Sequence, residues 1–482
     1  MTLAEKNLNL ANERIARLRA DVDFLASPEL EGRGTPSRGL DIAALYLETR
    51  LRALGVRPVS GSSMRQIYRL GDYRPDAATV EVSVGGRTLA ADDYVFWNIS
   101  RDPAGSPFCY PLVGVGQGVV APGLNDLDGI ALDGGAAVAI KGAPWELDPD
   151  KVFGPDRALG KIVAATVRGA RMIVYLSDEL DSGADEESRF FRQMRDATVS
   201  FLREPGVGHA SALSPIVIVR RSAFEAALGR SFDASSKGPL DAMLEVRVDA
   251  PVRQGEASNV VGVLPGNDPE LRNEYILLSA HYDHLGLHET PEGHKMWPGA
   301  DDNASGVAGV LEVVRELAES SRRRSVLVFF GSGEERAILG SAFYNAHPLV
   351  PIRSLGVQLN LDMIGRSDGT IEGVADGSPD LFAAAAECAE ARGIKLIPDR
   401  QPDWRLVYLT DTYHFARADR PFLFYFTGFH DDYHQPSDTP DKIRYPEMAR
   451  IVESAADLAR RYAEGEPLPK FTRPDWFVTP PE

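Results

Sequence analysis

The chain has 482 residues, 44% apolar and 25% charged, which is the balance of a soluble globular protein too long for one ordinary core; two to three domains are expected. A formal charge of −18, with Arg322-Arg323-Arg324 as the single basic run, excludes a nucleic-acid or anionic-membrane partner. No apolar run approaches the roughly 18 residues of a membrane-spanning helix, so none is expected.

The N-terminal stretch reads as an amphipathic helix with Ile15, Leu18, Val22 and Leu25 on one face, and it lacks the apolar core of an export leader. The compartment is therefore unassigned, and export remains compatible with a leader removed beforehand. A Gly/Pro-rich turn, LEGRGTPSRG (residues 30–39), precedes a second helix with Ile42, Leu45, Leu51 and Leu54 apolar and Gly55 as its stop. TVEVSVGG alternates like an antiparallel strand. From about residue 107 to 244 the chain turns rich in Gly, Ala and Val, with short β-runs such as GAAVAIKG and SPIVIVRR, as a separate inserted β-rich domain would. Strand–helix alternation then resumes: strands at 275–280, 325–331, 356–361 and 421–426, helices at 304–319, 381–392 and 445–463. This predicts an α/β fold with a mixed, mostly parallel central sheet and helices on both faces. The expected partition is a discontinuous catalytic domain (1–106 and 245–465), the insert (107–244) and a Pro-rich C-terminal arm (466–482). Cys109 and Cys388 show no metal-type spacing and read as buried free thiols, a single disulfide being the alternative. Arg322-Arg323-Arg324 falls between a helix end and a strand start, where it serves the helix dipole.

Eight of the nine histidines lie between His281 and His434, together with acid-bearing turns that mostly follow apolar strand-like runs. Open α/β sheets bind ligands beyond the carboxyl ends of their strands, so these turns converge there as imidazole and carboxylate donors to a divalent metal. In His281-Tyr282-Asp283, the imidazole is a candidate ligand and Asp283 a candidate partner for its other ring nitrogen. Asp301-Asp302-Asn303 opens a helix; capping accounts for one acid, leaving the second free to bridge two ions. Glu334 and Glu335 follow a buried strand and point in different directions, so one suits a metal and the other a proton-transfer role. Asp362 ends a largely apolar strand as another ligand candidate, whereas His434 in its polar loop is weak alone. His284, His288, His294, His414 and His430 read as supporting or surface residues.

As an ordered set, His281-x-Asp283, Gly299-Ala300-Asp301-Asp302-Asn303-Ala304-Ser305-Gly306, Gly333-Glu334-Glu335, Leu361-Asp362-Met363 and Tyr433-His434-x-x-x-Asp438-Thr439 resemble the co-catalytic zinc exopeptidases of the bacterial leucyl aminopeptidase and glutamate carboxypeptidase type. Residues 107–244 resemble, in texture, the protease-associated domain often inserted in such enzymes. The resemblance implies two Zn2+ per chain (Mn2+ or Co2+ being alternatives), one on His281 and Asp362, a second on Glu335 and His434, with Asp301 bridging. It also implies Glu334 as general base and a cis peptide between Asp301 and Asp302. The chain departs from the family's Ser-Asp-His, reading Thr410-Asp411-Thr412. Peptide is the implied substrate, with aminopeptidase direction favoured. Tyr408 and Asp411 are candidate substrate contacts, and Arg366 and Arg405 would anchor a carboxylate in a carboxypeptidase or dipeptidase. The alternative of another class is a non-catalytic receptor-like binding module.

Overall fold

The computed structural model describes residues 3–72, 80–97, 107–121, 123–145, 158–178, 180, 214–248, 253–290, 293–400, 402 and 405–477. The fold divides into two compact units: 1–68, 256–400 and 409–474 in the first, and 69–255, 401–408 and 475–482 in the second.

The first unit is built on a nine-stranded mixed sheet. Its path runs Arg57–Pro58, Arg253–Leu264, Ser325–Gly331, Tyr275–His281, Leu355–Leu361, Phe422–Phe426, Thr370–Val374, Lys395–Pro398, with Arg65–Asp72 also pairing Arg253–Leu264. The four middle strands, from Ser325–Gly331 to Phe422–Phe426, are mutually parallel. Ser325–Gly331 is buried at every position, as a strand covered on both faces must be. Leu327 and Phe329 pack with Leu277, Tyr344 and Phe415 in one core cluster. Tyr344 comes from helix Leu339–Ala346 and Phe415 from Thr412–Arg417. Helices Gly306–Ala318 and Tyr445–Glu464 pack against each other and bury most of their apolar positions. The expected architecture is therefore observed.

Two local readings change. In helix Arg38–Ala53 the buried stripe is Leu40, Ala43, Ala44, Leu47 and Leu51, while Leu45 is exposed. The stripe runs at i, i+3, i+4 from Leu40, and of the four apolar residues named from the sequence only Leu51 lies in it. Cys109 and Cys388 are both free thiols, but Cys109 is exposed because it alternates outward along Phe108–Val115. Arg322 donates to the carbonyls of Leu317, Ala318 and Ser320, so this part of the basic run does cap the helix Gly306–Ala318.

The second unit holds an eight-stranded sheet in the order Arg87–Thr88, Val80–Val84, Lys237–Val248, Phe108–Val115, Ala136–Ile140, Met172–Leu176, Ile216–Val219, Tyr94–Trp97. Its boundaries fall near 69 and 255 rather than 107 and 244. The reason is pairing: Val80–Val84 joins Lys237–Val248, and Tyr94–Trp97 joins Ile216–Val219, which draws the segment before residue 107 into this unit. Residues 475–477 of the C-terminal arm also belong here, with Phe477 stacked on Tyr408. Among the described residues, no helix is long and apolar enough to cross a membrane.

Candidate metal centre

The parallel strands deliver the acid- and histidine-bearing turns to one edge of the sheet. His281 is the last residue of its strand and pairs with Gly331, three residues before Glu334. Asp362 directly follows Leu355–Leu361, its N–H donating to the Tyr425 carbonyl of the neighbouring strand. His434 enters from the loop after Phe422–Phe426. Trp297 holds its carbonyl through an indole N–H at 3.1 Å, and Tyr433 stacks on its ring at 3.9 Å.

Two donor groups form there and share Asp302. In the first, His281 Nε2 is 3.3 Å from Asp302 Oδ1 and 3.4 Å from Asp362 Oδ1. Asp362 Oδ1 is buried and has no hydrogen-bond partner among the described residues. His281 Nδ1 lies 3.2 Å from the Asp283 carbonyl and 3.7 Å from its carboxylate. A carbonyl only accepts, so the neutral ring carries its proton on Nδ1 and turns the Nε2 lone pair toward the two carboxylates. In the second group, Glu335 Oε1 is 2.7 Å from His284 Nδ1 and Oε2 is 3.1 Å from His434 Nε2. Asp302 Oδ2 completes it, 3.2 Å from His434 and 3.6 Å from His284.

The electrostatics suit a cation. Burial raises the Asp302 carboxyl, but the adjacent His284, His281 and His434 overcome that and hold it well below its usual range. Glu335 is brought down to about 2, His434 and His284 outweighing burial and the repulsion of Asp302. Burial disfavours the charged His434, yet Glu335 and Asp302 raise it to about 10. Buried carboxylates this close together need positive charge between them. The donors present, imidazole nitrogens and carboxylate oxygens with an orphaned oxygen on Asp362, fit divalent zinc. Glu334 stands apart: burial, opposed by His281 and reinforced by Glu335, Asp362 and Asp411, holds its carboxyl well above the usual range.

The structure gathers His281, Glu335, Asp362 and His434, and it corrects the fifth expected ligand. Asp301 faces away: its Oδ1 accepts the Gly365 N–H at 2.7 Å and its Oδ2 meets His430 at 3.1 Å. Adjacent side chains project differently, so only one of the two acids can reach the imidazoles, and that one is Asp302. The N–H groups of Asp301 and Asp302 both donate to Asp438, which clamps the turn. The cis peptide joins Asp302 and Asn303 rather than Asp301 and Asp302. His284, set aside in the sequence reading, sits beside Glu335; the spacing His281-x-x-His284 after a strand was the signal.

Among the candidate substrate contacts, Arg405 lies over the Trp476 ring at 4.1 Å, and Tyr408 stacks on Phe477, both within the second unit. Arg366 is paired with Asp432 at 2.5 Å, and Asp432 also engages Lys442, so neither is uncommitted. Asp411 is 2% exposed and its two oxygens have no hydrogen-bond partner among the described residues; burial raises it to about 6.

This fold presents, at one edge of its sheet, two donor groups of the chemistry that holds divalent zinc. Residues 259–459 match the profile of Peptidase family M28. It is 25% identical over 245 residues to the uncharacterized protein YfbL of Escherichia coli (strain K12), covering 44% of this chain and 72% of that one. A probable leucine aminopeptidase 2 of Aspergillus oryzae is 26% identical over 157 residues, 32% of this chain and 29% of its own length. The chain therefore spans under a third of that relative. The fold is similar to that of an aminopeptidase from Aneurinibacillus sp. strain AM-1, with a TM-score of 0.54 at 19% identity, over 97% of this chain and 98% of that one.

Proposed function

We propose that the protein is a two-metal aminopeptidase, removing N-terminal residues from peptides. The observation that carries this reading is the pair of donor groups sharing Asp302, with the acid Glu334 beside them. His281, Asp362 and Asp302 would hold one ion; Glu335, His434 and Asp302 the other, with His284 at Glu335. Bound divalent ions supply Lewis acidity, polarising the scissile carbonyl and making water acidic near neutrality. The chain's own part is proton transfer and positioning. Glu334 takes the proton of the attacking water and returns it to the leaving amine, a task for a carboxyl held above its usual range. Its main-chain N–H donates to Asp283 at 3.2 Å, which places it relative to His281. The second unit is read as a protease-associated-like insert contributing no metal ligand.

Amine recognition follows from charge. Buried Asp411 lies outside the two donor groups and is left as a carboxylate for a substrate's ammonium, while Arg366 is spent on Asp432 and Arg405 on Trp476. An ammonium is received there more readily than a carboxylate. Aminoacyl anilides and free-amine dipeptides are expected to be cleaved, with activity falling sharply once the amine is acetylated; equal rates on both would overturn the assigned direction. Elemental analysis of protein purified without chelator is expected to find up to two divalent ions per chain. A folded protein that takes up none after zinc is added would remove the basis of the proposal.

A further inference from the structure

The Gly/Pro-rich turn at residues 30–39, far in sequence from every donor, is hydrogen-bonded to the loops that carry the donors. Arg33 is fully buried and its guanidinium donates to four main-chain carbonyls: Tyr282 at 2.9 Å, Pro298 at 2.9 Å, Gly299 at 3.0 Å, and Leu25. Its own carbonyl accepts the His284 N–H at 3.2 Å. One side chain thus joins the loop after His281 to the loop before Asp302. Gly32 permits this approach: it has φ +67°, and a Cβ there would lie 2.4 Å from the Trp297 carbonyl oxygen.

Two residues on, Thr35 is 2% exposed. Its hydroxyl donates to Asp283 Oδ2 at 2.9 Å and accepts the Gly333 N–H at 3.2 Å. The other oxygen of Asp283 accepts the Glu334 N–H at 3.2 Å and faces His281 Nδ1 at 3.7 Å. The hydroxyl thus ties the carboxylate behind His281 to the Gly333 N–H, next to the direct bond from that carboxylate to the Glu334 N–H.

We propose that Thr35 is a positioning residue for the metal centre: through Asp283 it sets the orientation of His281 and the placement of the Glu334–Glu335 turn. The inference rests on the metal-binding reading above. A partner that orients a ligand in this way typically changes metal affinity or activity by about ten- to hundredfold when lost. Thr35→Val keeps the volume and removes donor and acceptor together; Thr35→Ser keeps the hydroxyl.

The test measures Co2+ and Zn2+ binding by chelator competition, with the visible spectrum of the Co2+ protein as a second readout, on wild type, T35V, T35S, D283N and T35V/D283N. Expected results are an affinity loss of about ten- to hundredfold in T35V for one ion and an altered Co2+ spectrum. T35S is expected to restore both, and T35V to add nothing further in the D283N background, as coupling through Asp283 requires. If wild type binds two ions and T35V matches it in affinity and spectrum, the role of Thr35 is overturned and the metal reading stands. Additive losses in T35V/D283N overturn it also, since Thr35 would then act independently of Asp283. If wild type binds no ion, both readings fall.

Discussion

Replacing Glu334 with Gln is expected to lower kcat by something on the order of a thousandfold, within the range for loss of a general base, while metal content stays that of wild type. The side chain keeps its size and the Glu334 N–H keeps its bond to Asp283, so positioning survives and proton transfer does not. Glu335→Gln should behave oppositely. Glu335 Oε1 and Oε2 lie 2.7 and 3.1 Å from His284 and His434, and a neutral amide there removes charge that the site needs to hold a cation. Chelator competition for metal affinity and single-turnover kinetics separate the two effects. The reverse pattern would show the pair to be assigned the wrong way round.

Asp302→Asn is expected to cost metal binding at both donor groups together, because its two oxygens face His281 on one side and His284 and His434 on the other. The loss in affinity should exceed the roughly hundredfold that removing an orienting partner costs. Asp301→Asn is the matched control. Its Oδ1 accepts a main-chain N–H from Gly365, which the amide oxygen of Asn can also accept, so metal stoichiometry should be retained and activity altered far less. Metal titration of the two variants side by side decides which acid bridges; loss of both ions in Asp301→Asn with retention in Asp302→Asn would overturn the geometry.

Periodicity and punctuation in the chain were enough to locate the central parallel strands and the helices between them, since apolar runs such as VLVFFG have one stable place, inside a sheet covered on both faces. They were enough, too, to identify the turns that carry the chemistry, because a sheet of this kind presents the residue after each strand at one edge. The gathering of His281, Glu335, Asp362 and His434 at one edge was expected on that basis together with the family resemblance. What sequence order could not convey was direction and partner. Asp301 and Asp302 are chemically identical, and only the Gly365 N–H and the three imidazoles decide which turns inward. The edge of the second unit near residue 69 depended on pairing between Val80–Val84 and Lys237–Val248, strands separated by more than 150 residues. Thr35 and Arg33 lay in what read as a plain turn. Their contacts reach residues about 250 to 300 positions away, and a hydrogen bond across that distance exists only once the chain has folded. Local composition determined the sheet and the kinds of ligand at its edge; the orientation of each carboxylate, and the buried residues that hold it, were decided by long-range packing and the satisfaction of buried polar groups.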